Sequence, residues 1–354
     1  MKNMTSLERC MAVLNGQKPD SLPVVPQSFM YAIESAGMQI KDVCKNGKKM
    51  AQAHIISQDI YGYDGCIIDF DDASIAEAIG AKVIFRDDAP AIVNEEEPVL
   101  KNLRDVYDLE LPDPNKSGRL NEWLEATRTL VDAIGDHVFV MGRADQGPFS
   151  IACLLRGTTQ FMTDLYTEDE QLIYDVIEYC RKASAVFAKA QKDAGAHATS
   201  IGDAFAGPSL ISPGMYRQFA FESERKLINE VQEYGIPMSL HICGDTNKII
   251  KDMGETNAKI IEIDWKLDLE FARNIIPEST VLMGNVNPSD PLVFGTPNDI
   301  DKAVKDVVNA TKGKGLFISS GCAMGRNTPP ENMKAFIAAS RKYGSFEEIE
   351  KLNS

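Results

Sequence analysis

Eight short segments rich in Val, Ile, Leu and Phe, helix-patterned stretches between them, and polar residues gathered at the carboxyl ends of the segments predict an α/β protein. The arrangement expected is a (β/α)8 TIM barrel with an early insertion. The segments are 21–27 (SLPVVPQ), 65–70 (GCIIDF), 137–145 (HVFVMGRAD), 197–204 (HATSIGDA), 237–243 (PMSLHIC), 260–265 (IIEIDW), 281–286 (VLMGNV) and 316–322 (LFISSGC). Between them, stretches such as 161–192, 213–235, 298–312 and 330–343 carry apolar residues at three-to-four spacing. Pro-Asn-Asp and Thr-Pro-Pro start signals open the last two. The competing arrangement, an open doubly wound sheet, needs a glycine-rich phosphate loop after its first strand, and none is present there.

A barrel of this type needs about 250 residues, and the chain has 354. The surplus is assigned to a helical segment at 1–20 and to an insertion at about 81–135, which holds a possible hairpin around AKVIFRDD and the Pro/Asp/Asn-rich LPDPNKSG. No Gly/Ser linker divides the chain, so 1–354 is expected to form a single barrel domain. An apolar fraction of 44% with 25% charged residues excludes disorder and collagen-like repeats. A net charge of −15 opposes binding to nucleic acid or anionic membranes. No apolar run approaches the ~18 residues of a membrane span, and the chain reads as cytoplasmic. Seven cysteines, odd in number and thinly spread, do not form a disulfide framework and are expected to be thiols.

Barrel chemistry gathers where strands end. The strand ends here offer Gln27; Asp69, Asp71 and Asp72; Asp145 and Gln146; Asp203; His241 and Cys243; Asp264; Asn285; and Cys322. His137 and His197 begin their strands and His54 sits in a helical pattern, so these three read as surface or capping residues. His241-Ile242-Cys243 is the sharpest signal, because residues two apart on a strand project to one side and can face a common ion. Alone, such a pair is weak, since a buried cysteine beside a satisfied histidine is the ordinary alternative. Cys322, in SSGCAMG, supplies a second sulfur from elsewhere on the rim. One nitrogen and two sulfurs suit zinc and leave its fourth position open, which is the catalytic pattern. Asp264 is placed to fill that position until a substrate displaces it, and is counted as both ligand and catalytic candidate. Asp203 is the second catalytic candidate, with helix capping as its alternative role. Met30, Asp72, Asp145, Gln146, Phe205 and Asn285 are candidate substrate-binding residues. Against this, Gln146 and Asn285 can simply satisfy loop backbone groups, one of the clustered aspartates can be plain solvated loop, and the apolar Phe29, Met30, Phe149 and Phe205 can belong to the core.

A zinc carrying two thiolates is less electrophilic than one held by three histidines and suits direct activation of a thiol or alkoxide-type group. A thiol held by zinc is deprotonated yet nucleophilic and accepts an alkyl group. In the other direction, zinc makes an ether or amine heteroatom a better leaving group. Both are alkyl transfers.

From TSLERCMAVLNGQKPDSLPVVP through EAIGAKV, SIGDAFAGPSLISPGMYRQF, LHICGD, MGNVNP and FGTP to SSGCAMGRNTPPENMKAF, nearly the whole chain resembles the uroporphyrinogen decarboxylase superfamily. Within it, the LHICG and GC-x(6)-P-x-EN-x-KA segments are similar to the methylcobamide:coenzyme M methyltransferases and to the methyltransferase components of O-demethylase systems. That resemblance implies a zinc-dependent barrel with His241, Cys243 and Cys322 as ligands, and Asp264 where the coenzyme M enzymes carry a longer glutamate. It also implies a corrinoid (cobalamin) cofactor. The chain has no D-x-H-x-x-G cobalamin loop, so the corrinoid is expected on a separate partner protein docking over the barrel mouth. The decarboxylase branch itself is disfavoured, because its RQAGR-type motif is replaced by SFMYAIESAGMQ at 28–39, although its aspartate after the second strand persists as Asp72 or Asp71. The function expected is methyl transfer between a small O-, N- or S-methyl substrate and cobalt, with demethylation of a donor onto Co(I) preferred to coenzyme M-type transfer to a thiol. A metal-free decarboxylase, a barrel in which zinc only tethers loops, and an inactive corrinoid-carrier binding module are the alternatives.

Overall fold

Prolines 23 and 26 lack the N–H that a central strand must donate, yet Val24 and Val25 between them are fully buried. The 21–27 segment therefore pairs only through isolated contacts. In this computed structural model, which describes residues 3–354, those contacts are what close the barrel. Val25 N–H donates to Ile318 O at 2.9 Å and Ile318 N–H to Pro23 O at 2.8 Å, while Asp64 N–H donates to Val24 O at 2.7 Å on the other side. The parallel circuit runs from there through β1 (Gly65–Ile67) to its neighbour β4 (Phe139–Met141), with β2 (Val83–Ile84) and β3 (Ile92–Val93) lying outside it. It continues across the Met141–Ala198 bridge to β5 (Thr199–Gly202), β6 (Met238–His241), β7 (Ile260–Glu262), β8 (Val281–Val286) and β9 (Leu316–Ser320). Every segment expected as a strand takes its place, and all but β8, which fills its whole run of 281–286, are shorter than expected because carboxyl-end residues leave the ladder to form the rim.

The expected hairpin is the antiparallel pair β2 (Val83–Ile84) and β3 (Ile92–Val93). The rest of 81–135 includes helix Leu120–Ile134, whose buried face of Leu120, Trp123, Leu124, Thr127, Leu130 and Ile134 packs between helix Gly47–Tyr61 and β4. The stretch 161–192 is two helices, Thr158–Thr167 and Glu170–Asp193, because the Asp169 carboxylate caps a new start by accepting from Gln171 N–H at 2.9 Å. Within 1–20 the helix spans Ser6–Leu14, opened by a reciprocal Thr5/Glu8 capping box, and residues 1–2 lie outside the described residues. Its Cys10, Val13 and Leu14 pack against Phe139, Met141, Met283 and Phe317 inside the barrel and plug the amino-terminal end.

Asp64 fastens the seam. Its buried carboxylate accepts from Ser6 Oγ (2.7 Å), Arg9 Nη1 (2.6 Å), Val24 N–H (2.7 Å) and Arg341 Nη1 (2.5 Å). One side chain thus ties together the amino-terminal helix, the first strand segment and the carboxy-terminal helix Pro330–Tyr343. All seven cysteines are free. His54 corrects an expectation: it is fully buried in helix Gly47–Tyr61 rather than on the surface or at a cap. Among the described residues no helix is long and apolar enough to cross a membrane.

Candidate metal centre

β6 delivers His241 as its last residue, and Cys243 follows two positions on, so both face the carboxyl rim. β9 ends at Ser320, and Cys322 lies two residues beyond it. Two strands, β7 and β8, lie between the two elements, yet the curvature of the closed sheet brings their ends together. His241 Nε2 lies 3.0 Å from Cys243 Sγ and 3.8 Å from Cys322 Sγ, and the sulfurs are 3.8 Å apart, far beyond a disulfide. Among the described residues, these three form a group whose ligand atoms lie close enough to share one metal ion.

The imidazole is oriented from behind. His241 Nδ1 stands 3.1 Å from the Glu262 carbonyl, so that nitrogen carries the proton and Nε2 offers its lone pair to the cluster. Burial works against a charge on His241, but contact with the Cys322 sulfur carries the ring up to about 9. The contact with Cys322 lowers the Cys243 thiol, helped by the nearby Arg143 cation, while the same contact and burial raise Cys322. An imidazole and two thiols contesting protons at contact distance are the donor set a thiophilic cation resolves.

The candidates do not all meet there. Asp264 stays outside the three-residue group: its Oδ2 accepts from Gly244 N–H and its Oδ1 from Lys266 N–H, both at 2.8 Å. It braces the turn after Cys243, where Gly244 takes a φ of +90° that a side chain would strain. Asp203 points away from the cleft. Its Oδ1 accepts from Ser150 N–H (2.7 Å) and Ser150 Oγ (2.6 Å), and its Oδ2 from Phe149 N–H (3.3 Å), which makes it the cap of helix Pro148–Arg156. Capping, its alternative role, is the one its contacts describe, and burial pushes its carboxyl up to about 6. Asn285 donates to the Asp264 and Leu267 carbonyls at 3.1 and 3.0 Å and braces a loop. Phe205 is half-buried against the main core, and Phe149 is fully buried. Asp145 is buried behind the rim, with Oδ2 accepting from Ile75 N–H at 2.6 Å. By contrast, Met30, Asp72 and Gln146 line the same cleft of 150 Å³ as the three metal-ligand candidates.

Two residues of the centre escaped sequence reasoning. Arg143 is buried at the cleft floor, its Nε 2.9 Å from Asp69 and its Nη1 3.8 Å from Glu262. A Cβ on Gly202 would come within 2.3 Å of Arg143 Nη2, so that glycine is the seat of the guanidinium. Glu262 also accepts from Ser239 Oγ at 2.8 Å. The available signal was a charged residue inside an apolar strand, GRAD and IIEID, since a buried charge needs a partner of opposite sign.

A closed parallel barrel with an imidazole and two thiols converging beside a cleft at its carboxyl rim defines a TIM-barrel protein with a candidate metal centre. The chain belongs to the uroporphyrinogen decarboxylase family: the model described as Uroporphyrinogen decarboxylase (URO-D) matches residues 5–343. Methylcobamide:CoM methyltransferase MtbA of Methanosarcina acetivorans is 27% identical over 348 residues, 97% of this chain and 99% of that protein. Methylcobamide:CoM methyltransferase MtaA of Methanosarcina barkeri is 26% identical over 356 residues, 97% of this chain and 99% of that one. A uroporphyrinogen decarboxylase of Prochlorococcus marinus matches at 27% identity over 249 residues, 68% of each chain. Among solved structures, a methyltransferase from Methanosarcina mazei shares the fold, with a TM-score of 0.87 at 24% identity over 96% of this chain and 99% of that one.

Proposed function

We propose that this chain is a zinc-dependent methyltransferase that moves a methyl group between a small O-, N- or S-methyl substrate and the cobalt of a corrinoid held by a separate protein, in the direction of donor demethylation onto Co(I). The convergence of His241, Cys243 and Cys322 at the cleft carries this reading. Their spacing fits the ion: with zinc–sulfur bonds of about 2.3 Å, two thiolates of a tetrahedral site stand about 3.8 Å apart, the separation of Cys243 and Cys322. Nitrogen–sulfur distances of 3.0 and 3.8 Å bracket the roughly 3.5 Å expected for such a site. Bound there, zinc supplies a Lewis acid that stabilises charge on the heteroatom exchanging the methyl group.

The chain's own residues set up the rest. The Glu262 carbonyl fixes the His241 tautomer, and Asp264 holds the turn behind Cys243 with both its oxygens, leaving the remaining coordination position to substrate. Phe29 and Met30 give the cleft an apolar wall, and Asp72 with Gln146 gives it a polar one. At 150 Å³ the cleft is below the size of drug-binding pockets and suits a substrate of a few heavy atoms. A substrate with eight carboxylates does not suit a cleft lined by Asp69, Asp71 and Asp72, which argues against decarboxylation. Open at the barrel mouth, the site is accessible to a corrinoid-carrying partner, and the free cysteines accord with a reducing cytoplasm. Transfer to a metal-held thiol is the second reading, favoured by the names of the two methanogen relatives.

Metal analysis with methyl exchange tests the proposal. His241→Ala and Cys322→Ala should each lose stoichiometric zinc and transfer to reduced corrinoid protein by at least 100-fold while keeping the wild-type circular dichroism spectrum. Full activity in both variants rejects the centre.

A further inference from the structure

The charges around the cleft do not balance, and the surplus says what enters it. Asp69 is paired with Arg143, and Asp71 accepts from Arg119 Nη1 at 2.7 Å and Nη2 at 3.1 Å. Asp72, the third aspartate of the run, lines the cleft, is exposed to it, and among the described residues forms no ion pair within 4.0 Å. Its recorded side-chain hydrogen bond is from Gln146 Nε2 at 2.5 Å. That bond fixes the orientation of the Gln146 amide, and its Oε1 is left buried without a hydrogen-bond partner although the residue is 3% exposed. An unpaired carboxylate and an unsatisfied acceptor thus stand side by side in a small cleft. Arg143, the cation lining it, is already held by Asp69 and by Glu262. Leaving a buried acceptor unpaired is costly, so the arrangement is completed by a ligand that brings donors and positive charge.

We infer that the methyl substrate is a small compound carrying an ammonium group beside its methylated or methyl-accepting heteroatom, with Asp72 and Gln146 Oε1 receiving its N–H donors, and that anionic carriers of the same size are rejected. The inference rests on the methyl-transfer reading for the word methyl, and on Asp72 and Gln146 alone for the charge. It holds in either direction of transfer, and it separates this chain from enzymes whose thiol substrate is an anion.

Isothermal titration of the zinc-loaded full chain without corrinoid, using probes matched in size, tests it. The ether series is 2-methoxyethylamine, 2-methoxyethanol and methoxyacetate, and the thiol pair is cysteamine and 2-mercaptoethanesulfonate. The amine of each set should bind at least tenfold more tightly than the acid, with the alcohol between, and the amine alone should weaken as salt is raised. Asp72→Asn should bring the amine to the level of the alcohol. The inference falls if either acid binds as tightly as its amine, if no amine binds at millimolar concentration, or if Asp72→Asn keeps the full preference. Zinc content and methyl exchange on the same preparation separate the two readings. Protein that holds no zinc but prefers the amines rejects methyl transfer and keeps the charge assignment, whereas zinc-loaded protein that methylates 2-mercaptoethanesulfonate does the reverse.

Discussion

A histidine without exposure and without a hydrogen-bond partner is tolerated only while its ring is neutral, and His54 is such a residue. Burial lowers it to about 4 from an ordinary 6.5. Below pH 6.5 the unfolded chain binds a proton that the folded chain refuses until about pH 4, so the stability tied to this group is complete above 6.5 and lost as pH falls through that window. At about 1.4 kcal/mol per pH unit the loss reaches roughly 2 kcal/mol at pH 5. His54→Leu should shrink the difference between urea midpoints at pH 7.5 and pH 5 accordingly, and equal differences in both proteins would count against this account. The contrast with His241 is one of surroundings: both are buried imidazoles, but the second stands against two sulfurs and a carbonyl, and that alone makes it a ligand candidate.

At the scale of elements, Asp203 shows how a rim carboxylate is spent on architecture. Its three bonds to Phe149 and Ser150 fill the open amino terminus of helix Pro148–Arg156, whose first residue is a proline and whose preceding Gly147 provides no side-chain cap. Asp203→Ala leaves those donors buried and unpaired, and should cost about 2 kcal/mol, read as a lower denaturant midpoint, while zinc stoichiometry is preserved. Loss of zinc with stability unchanged would restore a role in the chemistry. Strand ends alone could not separate this residue from Asp72: both follow apolar strands, and only the direction of the side chain tells a cap from a cleft wall.

For the whole molecule, closure depends on the seam between the 21–27 segment, β1 and β9, where prolines remove ladder bonds and Asp64 substitutes for them. It binds Arg9 and Arg341 from helices at opposite ends of the chain. Asp64→Ala takes a partner from Arg341 and leaves the buried Val24 N–H unpaired, while Arg9 keeps its ion pair with Asp20, and should lower unfolding stability by about 2–3 kcal/mol, seen as early melting; a loss below 1 kcal/mol would show that the barrel closes without it. What the sequence determined by itself was periodicity: eight apolar runs, the helices between them, and a histidine and two cysteines at strand ends, because alternation and strand polarity are local properties that a barrel converts into one rim. Pairing, by contrast, is set by the closed fold. Asp203 and Asp264 spend their oxygens on backbone donors, Asn285 holds a loop, Arg143 and Glu262 form a buried pair across the barrel, and Asp72 is left without a cation. A side chain's partner depends on which distant residue the closed sheet brings within about 3 Å, and no run of neighbouring residues encodes that distance.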